Sequence, residues 1–367
     1  MSDFLIIGGG VIGMMTALQL ADAGQRVRIL ERGACGREAS WAGGGIVSPL
    51  YPWRYPTSIS ELSRWSEGAY PTLALRLLEE TGIDPEYRQK GLLYLSVEDD
   101  DAALAWARRL GKPLERVSSA FVREKEPRAG VDGEQGALWM PTLGSVRNPR
   151  LGQALRARLA AMPGVTLSEH QDVKGFVERD GQVIGVKTSQ GEYQAERIVL
   201  CAGAWTATLL ATLGIPLPIR PVKGQMIAYQ APKGLIERVV LKSGRYVIPR
   251  GDGLLLVGST LEEAGFDKAT DEHARASLEQ SAEEIVPALA SYPVAHHWAG
   301  LRPGSPGGVP FIGALPNQQR LYINAGHYRN GLVLAPASTH LLVDTLLDRP
   351  PLIDPAPFAP GAERPAV

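Results

Sequence analysis

MSDFLIIGGGVIGMMTALQLADAGQRVRILER occupies residues 1–32 and places a glycine cluster between two apolar runs. Residues 4–7 are a short apolar run typical of a buried strand. Apolar residues then recur at helical spacing over residues 12–23, until Gly24 ends the pattern. Residues 27–30 form a second apolar run, which ends at Glu31. The glycine cluster therefore lies on a strand-to-helix turn inside a predicted βαβ unit.

Three glycines of this turn, Gly8, Gly10 and Gly13, have the spacing GxGxxG. In such a turn the first glycine allows the sharp bend, the second lets the backbone approach a pyrophosphate, and the third lets the helix pack closely on the strand. The pyrophosphate accepts hydrogen bonds from the free N–H groups at the helix start, and Glu31 hydrogen-bonds a ribose hydroxyl. The sequence therefore predicts a dinucleotide site rather than an ordinary glycine loop.

The composition excludes several classes of protein. A chain of 367 residues can bury a large core and predicts two domains. Its net charge is −1, from 38 basic and 39 acidic residues, so we expect neither a nucleic acid nor a membrane as partner. Cys35 and Cys201 are the two cysteines, which predicts no disulfide framework, a reducing compartment and a cytoplasmic location.

Targeting and metal-binding signals are also missing from the sequence. Asp3 stands where a secretion signal has basic residues, and no run approaches the roughly twenty apolar residues of a membrane-spanning helix. The six histidines form no HxH or HExxH pair, and His296 and His297 point to opposite faces of a strand. We therefore predict no metal site.

The segment at residues 36–49 is rich in small residues and too dense in glycine for a helix. It is either a backbone lying against a flat ligand or a plain flexible loop. Downstream, the pattern predicts a helix over residues 61–81 that Pro71 interrupts. Asn148 is the predicted N-cap of a later helix, with Pro149 in its first turn.

The second half alternates strands and glycine turns. Residues 173–201 predict a β-meander that ends in a buried strand, followed by a second glycine turn and a helix. Residues 245–259 predict a hairpin, and Thr270 is the predicted cap of a helix that reaches about residue 286. The proline-rich residues 351–367 are predicted to be loosely ordered.

Taken together, these motifs resemble those of a known family, the FAD-dependent D-amino acid oxidase and glycine oxidase family. Within it they resemble the thiamine-pathway glycine oxidases. The resemblance covers residues 3–347 and is most specific in its last three motifs. The motifs in chain order are IIGGGVIG, GREASWAGGG, RIVLCAGAW, RYVIPR, AGLRPGSPGGVPFIG and AGHYRNGLVLAP.

The chain pattern and this resemblance predict an α/β fold with an α+β second domain. A discontinuous Rossmann-like FAD-binding domain is expected over residues 1–80, 145–215 and 310–350. A substrate-binding domain built on an antiparallel sheet is expected over residues 81–144 and 216–309, followed by a tail at 351–367.

The resemblance implies FAD as the cofactor. The binding is expected to be noncovalent because neither cysteine lies late in the chain, where sarcosine oxidases attach flavin. A helix start near His327 would stabilise negative charge on the reduced flavin. The implied FAD-binding residues are Gly8, Gly10, Val11, Ile12, Gly13, Glu31, Arg32, Ala39, Ser40, Gly43, Gly44, Gly45, Val173, Ala202, Gly203, Trp205, His327, Tyr328, Arg329, Asn330, Gly331, Leu332 and Val333.

Three residues are candidates for binding the substrate. An amino acid carboxylate is best bound by a planar bidentate donor, which the Arg302 guanidinium can supply. Arg329 is a second candidate, and Tyr246 adds a hydroxyl donor. The competing interpretation is that each arginine is only a surface ion-pair partner.

The resemblance implies oxidative deamination of glycine, sarcosine or small D-amino acids, with oxygen as acceptor and 2-oxo acid, ammonia and hydrogen peroxide as products. Hydride passes from the substrate Cα to flavin N5, and no side chain is an obligatory acid or base. Trp41 stands in a segment usually built of small residues, and Gly244 and Leu261 are departures near the expected pocket. These three residues leave the preferred substrate open.

Two other functions stay open at this stage: a quinone-linked amine dehydrogenase and a noncatalytic FAD-binding subunit. The joint presence of Tyr246, Arg302 and Arg329 argues against the second, because a structural module needs no carboxylate clamp. Relatives commonly form homotetramers, so a homo-oligomer is expected.

Overall fold

The structure is a computed structural model that describes residues 2–131 and 136–364. Residues 1, 132–135 and 365–367, which belong to the predicted domains and tail, lie outside the described residues. The helices are α1 (Val11–Asp22), α2 (Ala39–Ala42), α3 (Thr57–Thr81), α4 (Asp100–Leu110), α5 (Ser119–Lys125), α6 (Asn148–Ala161), α7 (Thr206–Ala211), α8 (Glu272–Ile285) and α9 (Gly331–Leu346).

The strands are β1 (Ser2–Ile7), β2 (Val27–Leu30), β3 (Ile46–Val47), β4 (Arg88–Gln89), β5 (Leu92–Leu95), β6 (Glu115–Val117), β7 (Ala137–Met140), β8 (Gly144–Ser145), β9 (Val165–Ser168), β10 (Val173–Arg179), β11 (Gln182–Thr188), β12 (Gly191–Leu200), β13 (Arg220–Gln230), β14 (Val239–Lys242), β15 (Arg245–Pro249), β16 (Leu254–Gly258), β17 (Val294–Gly304), β18 (Phe311–Ala314) and β19 (Leu321–Ala325). Short 3₁₀ turns cover Pro52–Arg54, Gly203–Trp205, Pro287–Ser291, Pro306–Gly308, Tyr328–Asn330 and Ala356–Phe358.

The first sheet has a parallel centre in the order β9, β2, β1, β12, β19. The predicted meander of β10 and β11 extends the first half of β12, and β18 runs antiparallel beside β19. Helices α1, α6 and α9 pack on one face with their apolar sides toward the sheet, and the apolar side of α3 packs on α6 and α9. This arrangement confirms the predicted βαβ start and the α/β fold class.

The second sheet has the order β17, β13, β16, β15, β14, β5, β7, β6. Its pairs are antiparallel except for β14 and β5, which run parallel. Helix α8 covers one face, and the other face carries Met226, Tyr246 and Ile248. Its strands fall within the ranges predicted for the substrate-binding domain; the exact domain boundaries stay a prediction.

Two expectations about helices are wrong. Pro71 does not interrupt α3, because it lies on the exposed side while buried Tyr70, Ala74 and Leu77 anchor the helix on both sides of it. The segment judged too rich in glycine for a helix contains α2, since one turn fits between Glu38 and Gly43.

Two predicted caps are also wrong. Arg147 is the N-cap of α6, and the Asn148 side chain instead donates to the backbone oxygen of Ser40 at 3.0 Å. Asp271, not Thr270, caps α8, because its carboxylate accepts a hydrogen bond from the Ala274 N–H at 2.8 Å.

The tail is ordered rather than loose over its described residues. Phe358 is 1% exposed and belongs to the core beneath the helices. The Arg364 guanidinium lies 3.6 Å from the Phe311 ring centroid and donates to the backbone oxygens of Pro310 and Phe358. The packed aromatic and the arginine stack hold this proline-rich segment in place.

Candidate active site

A cavity of about 480 Å³ extends from the carboxyl end of β1 to the second sheet. Gly8 and Gly10 line one end, and Tyr246 and Arg302 line the other. The start of α9 also contributes to its wall. The cavity therefore joins the predicted dinucleotide turn to the predicted substrate residues.

The turn after β1 and the first turn of α1 leave no room for a side chain at Gly8 or Gly13. Gly8 has φ +106°, and a Cβ there would lie 2.4 Å from the Cys201 backbone oxygen. A Cβ on Gly13 would lie 1.9 Å from the Gly8 backbone oxygen. Gly13 does not line the cavity; its role is the close packing of α1 on β1, as the motif predicts.

Glu31 holds the glycine turn in shape. Its carboxylate accepts hydrogen bonds from the N–H groups of Gly9 at 2.7 Å and Gly33 at 2.9 Å, and the residue lines the cavity. The Val11 N–H at the start of α1 donates to Ser40 Oγ at 2.8 Å. The segment around α2 is thus attached directly to the dinucleotide turn.

Arg32 lies at the outer rim of the same end. Its guanidinium is 3.6 Å from the Trp205 ring centroid and pairs with Glu38 at 3.0 Å. Lys268, in the loop between β16 and α8, pairs with the Glu38 carboxylate at 3.1 Å. A stacked and ion-paired rim therefore joins the two sheets beside the cavity.

Sequence reasoning missed Arg250, which positions the glycines after α2. This buried guanidinium donates to the backbone oxygens of Gly44 at 2.6 Å and Val146 at 3.0 Å. Burial lowers the pKa of Arg250 to about 10. Arg250 is the last residue of the RYVIPR motif, which was the only sequence signal for it, and it holds the Gly44 backbone at the cavity wall.

Buried amides around the cavity have unused hydrogen-bonding atoms. Asn148 Oδ1, Asn324 Oδ1 and Asn330 Nδ2 have no partner within the described part of the chain, and all three residues line the cavity. Buried polar atoms are normally satisfied. These atoms, together with the open turn at Gly10, fit a polar ligand the size of a dinucleotide.

His327 and Asn330, in the turn before α9, are buried and uncharged. His327 is 2% exposed, and its Nε2 lies 3.1 Å from Ser338 Oγ. Asn330 is the N-cap of α9 and makes no side-chain cap bond, while Gly331, Leu332 and Val333 line the cavity. The positive end of the α9 dipole therefore faces the cavity.

The buried imidazole of His327 should make the folded protein less stable in acid. Burial lowers the pKa of His327 to about 3, against about 6.5 for an unfolded chain. As pH falls below about 6.5, the unfolded state binds a proton that the folded state does not, so stability decreases until about pH 3. We expect this group alone to remove about 2 kcal/mol between about pH 6.5 and 5.

Urea unfolding with saturating FAD at several pH values measures this loss. His327→Gln should be less sensitive to acid than the unaltered chain, and His273→Gln, at an exposed site on α8, should not differ from it. If the free energy of unfolding falls equally with pH in His327→Gln and in the unaltered chain, the assignment of a neutral buried imidazole is wrong.

The three predicted substrate residues lie in or at the cavity. Tyr246 is buried, with its hydroxyl 3.9 Å from Met226 Sδ, and Arg302 is partly accessible. Burial lowers the pKa of Arg302, and the nearby Arg329 lowers it further. Arg329 is exposed at the mouth. Neither arginine forms an ion pair with any carboxylate in residues 2–131 or 136–364, so the ion-pair interpretation finds no partner there.

Every predicted cofactor residue except Gly13 lines this cavity. None of the three departures noted in the sequence lines it. The Gly244 N–H, in a hairpin turn, donates to Tyr51 Oη at 2.9 Å, and Leu261 is exposed. Trp41 packs edge-on against Trp298, with ring centroids 5.9 Å apart. Asn148, Asn324 and Ser259 line the cavity and were missed, because no local pattern marks them.

No group of three His, Cys, Asp or Glu side chains suited to a metal ion occurs in the described ranges. Cys35 and Cys201 are free and buried. Within those same ranges, no helix has the length and apolar character needed to cross a membrane.

The fold and the cavity define a dinucleotide-binding protein whose cofactor cavity opens onto an arginine of a second sheet. The family model described as "FAD dependent oxidoreductase" (DAO) matches residues 3–345. The chain belongs to this DAO family, and its cofactor is FAD, which the open glycine turn and the unsatisfied amides fit.

Individual proteins similar to this chain support the same family membership. A protein of Pseudomonas aeruginosa named glycine oxidase is 51% identical over 97% of this chain and 98% of its own length. The crystal structure of a glycine oxidase from Geobacillus kaustophilus has a TM-score of 0.93 at 32% identity and covers 99% of each chain. A Trichormus variabilis protein named bifunctional protein ThiO/ThiG is 32% identical over 95% of this chain, which spans 53% of that relative.

Proposed function

We propose that this chain is an FAD-dependent amino acid oxidase that deaminates glycine, with sarcosine and small D-amino acids as further substrates. The products are the 2-oxo acid, which is glyoxylate from glycine, ammonia and hydrogen peroxide. The observation that carries the proposal is the Arg302 guanidinium, which lines the FAD cavity and has no carboxylate partner in the described residues. The relatives named glycine oxidase support glycine as the first substrate.

The roles follow from the contacts. Arg302 binds the substrate carboxylate, Tyr246 adds its hydroxyl, and Arg329 attracts the anion at the mouth. FAD, when bound, supplies the two-electron oxidation of the substrate C–N bond and the return of those electrons to oxygen. The protein contributes orientation and a dry site, because Tyr246, Leu301 and His327 are buried cavity walls.

No side chain is needed as a general base. Three carboxylates line the cavity, and each has a partner: Glu31 accepts from the Gly9 N–H, Glu38 pairs with Arg32, and Asp172 pairs with Lys174. His327 is held neutral and hydrogen-bonded to Ser338. The amine must therefore lose its proton before reaction, so activity should rise with pH.

A quinone-linked dehydrogenase and a noncatalytic subunit are not favoured. The relatives from Pseudomonas aeruginosa and Geobacillus kaustophilus are named glycine oxidase, and a noncatalytic module has no use for an arginine left without a carboxylate beside a cofactor. We further propose a cytoplasmic homo-oligomer, a tetramer by resemblance. The relative named ThiO/ThiG supports a role in supplying the imine for thiamine thiazole synthesis.

Anaerobic mixing of the purified flavoprotein with glycine, sarcosine and D-alanine, each in turn, tests the proposal. We expect glycine to bleach the flavin, and air to restore its colour with one peroxide formed per flavin reduced. Bleaching that persists in air would instead indicate a dehydrogenase. A flavin that no amino acid bleaches would indicate a noncatalytic module.

A further inference from the structure

The Arg302 guanidinium is already committed to three acceptors on the protein. Nη1 donates to the backbone oxygens of Lys223 at 3.2 Å and Thr260 at 3.3 Å. Nη2 donates to Ser259 Oγ at 2.7 Å. The Ser259 contact is the shortest of the three and the only one made by a side chain.

The two backbone acceptors are fixed by the sheet. The Thr260 N–H donates to the Gln225 oxygen at 3.1 Å, and the Gln225 N–H donates to Thr260 Oγ1 at 2.8 Å. Lys223 and Glu262 exchange backbone hydrogen bonds of 2.9 and 3.0 Å. The acceptors around Arg302 therefore form a rigid frame rather than a flexible loop.

Gly224 provides the space beneath this guanidinium. A Cβ at Gly224 would lie 2.1 Å from Nη1, 2.2 Å from Nη2 and 2.4 Å from Cζ of Arg302. The φ of Gly224 is not in the left-handed region, so the backbone itself would accept alanine. Glycine is needed here for the position of Arg302 and not for the turn of the chain.

The hydrogen-bond count decides how a carboxylate can bind. A guanidinium carries five N–H donors. Three are used here, so the N–H on Nε and one N–H on Nη2 have no partner in the described residues, and these two nitrogens border the same edge of the guanidinium plane. An edge of two parallel N–H groups matches a carboxylate.

We propose that Ser259 and Gly224 are positioning residues that set the Arg302 plane so that its Nε–Nη2 edge receives the substrate carboxylate side-on. The inference rests on the proposed function, since it takes the substrate to be an amino acid. Neither residue bears on the chemical step. Ser259 fixes the rotation of the guanidinium by its hydrogen bond, and Gly224 lets it lie flat on β13.

Two measurements on the holoenzyme test this assignment. Titration with acetate, followed by the flavin absorbance, gives the affinity for a carboxylate without an amine. Anaerobic stopped-flow reduction by glycine separates the apparent Kd for glycine from the limiting rate of flavin reduction. We expect Ser259→Ala to weaken acetate and glycine about tenfold, and Ser259→Thr to restore both.

Gly224→Ala should have the larger effect, about a hundredfold on both affinities, because a displacement of roughly 1 Å moves the whole guanidinium. The limiting rate should stay within about threefold for Ser259→Ala, since its hydroxyl acts on binding alone. Matched controls are Ser281→Ala, whose hydroxyl bonds within α8, and Gly68→Ala, where a Cβ meets nothing within 4 Å. Both controls should keep the original affinities.

The outcomes separate the two proposals. If glycine reduces the unaltered flavoprotein but Ser259→Ala and Gly224→Ala bind acetate and glycine normally, the positioning assignment is wrong and the oxidase proposal stands. If no amino acid reduces the unaltered flavoprotein, the oxidase proposal is wrong. A fall in limiting rate with unchanged affinities would also overturn the positioning role.

Discussion

Arg302→Ala is expected to lower kcat/KM for glycine about a thousandfold while the protein keeps its FAD. The loss has two sources. The carboxylate loses its paired donors, and inside a buried frame the backbone oxygen of Thr260 loses the Arg302 donor while that of Lys223 keeps only the Glu262 N–H. The cofactor turn at Gly8 and Gly10 lies at the other end of the cavity, so FAD binding should be unaffected.

Steady-state kinetics together with the flavin absorbance of the purified variant check this result. Arg302→Lys is the informative companion, because lysine keeps the charge but cannot present two parallel donors. We expect it to recover only a small part of the activity. Normal kinetics in Arg302→Ala would remove Arg302 from the substrate site, and loss of FAD would show that its role is structural.

Gly13→Ala is expected to reduce the free energy of unfolding by about 3 kcal/mol and to abolish FAD retention. The new Cβ would overlap the Gly8 backbone oxygen at 1.9 Å, so α1 must move away from β1. That movement displaces the N–H groups at the start of α1 and the contact between Val11 and Ser40. Gly13 does not line the cavity, but we therefore expect it to be required for FAD binding.

Thermal unfolding and flavin content measure both effects. Gly68→Ala is the matched control, since Gly68 lies inside α3 in open space and alanine there should stabilise the helix by about 0.5–1 kcal/mol. A Gly13→Ala protein that melts normally and keeps its FAD would contradict the close packing of α1 on β1.

Short-range patterns predicted the βαβ unit, its glycine turn and Glu31, whereas the family resemblance implied the rest of the cofactor lining. The two apolar runs and the glycine spacing in residues 1–32 fixed the βαβ unit, because strand, turn and helix are each specified by neighbours in the chain. Other local signals failed where tertiary packing outweighed them. Pro71 lies inside an unbroken α3, since the buried side of that helix holds it against the core.

The sequence alone determined which residue types stand at each end of the cavity, including the glycine turn, Glu31, Tyr246 and Arg302. Only the tertiary structure decided how they are held. Arg250 reaches Gly44 across 206 positions, and Ser259 meets Arg302 across 43. The direction of a guanidinium depends on which acceptors the folded sheets bring within about 3 Å of it, and no local spacing in the chain encodes those distances.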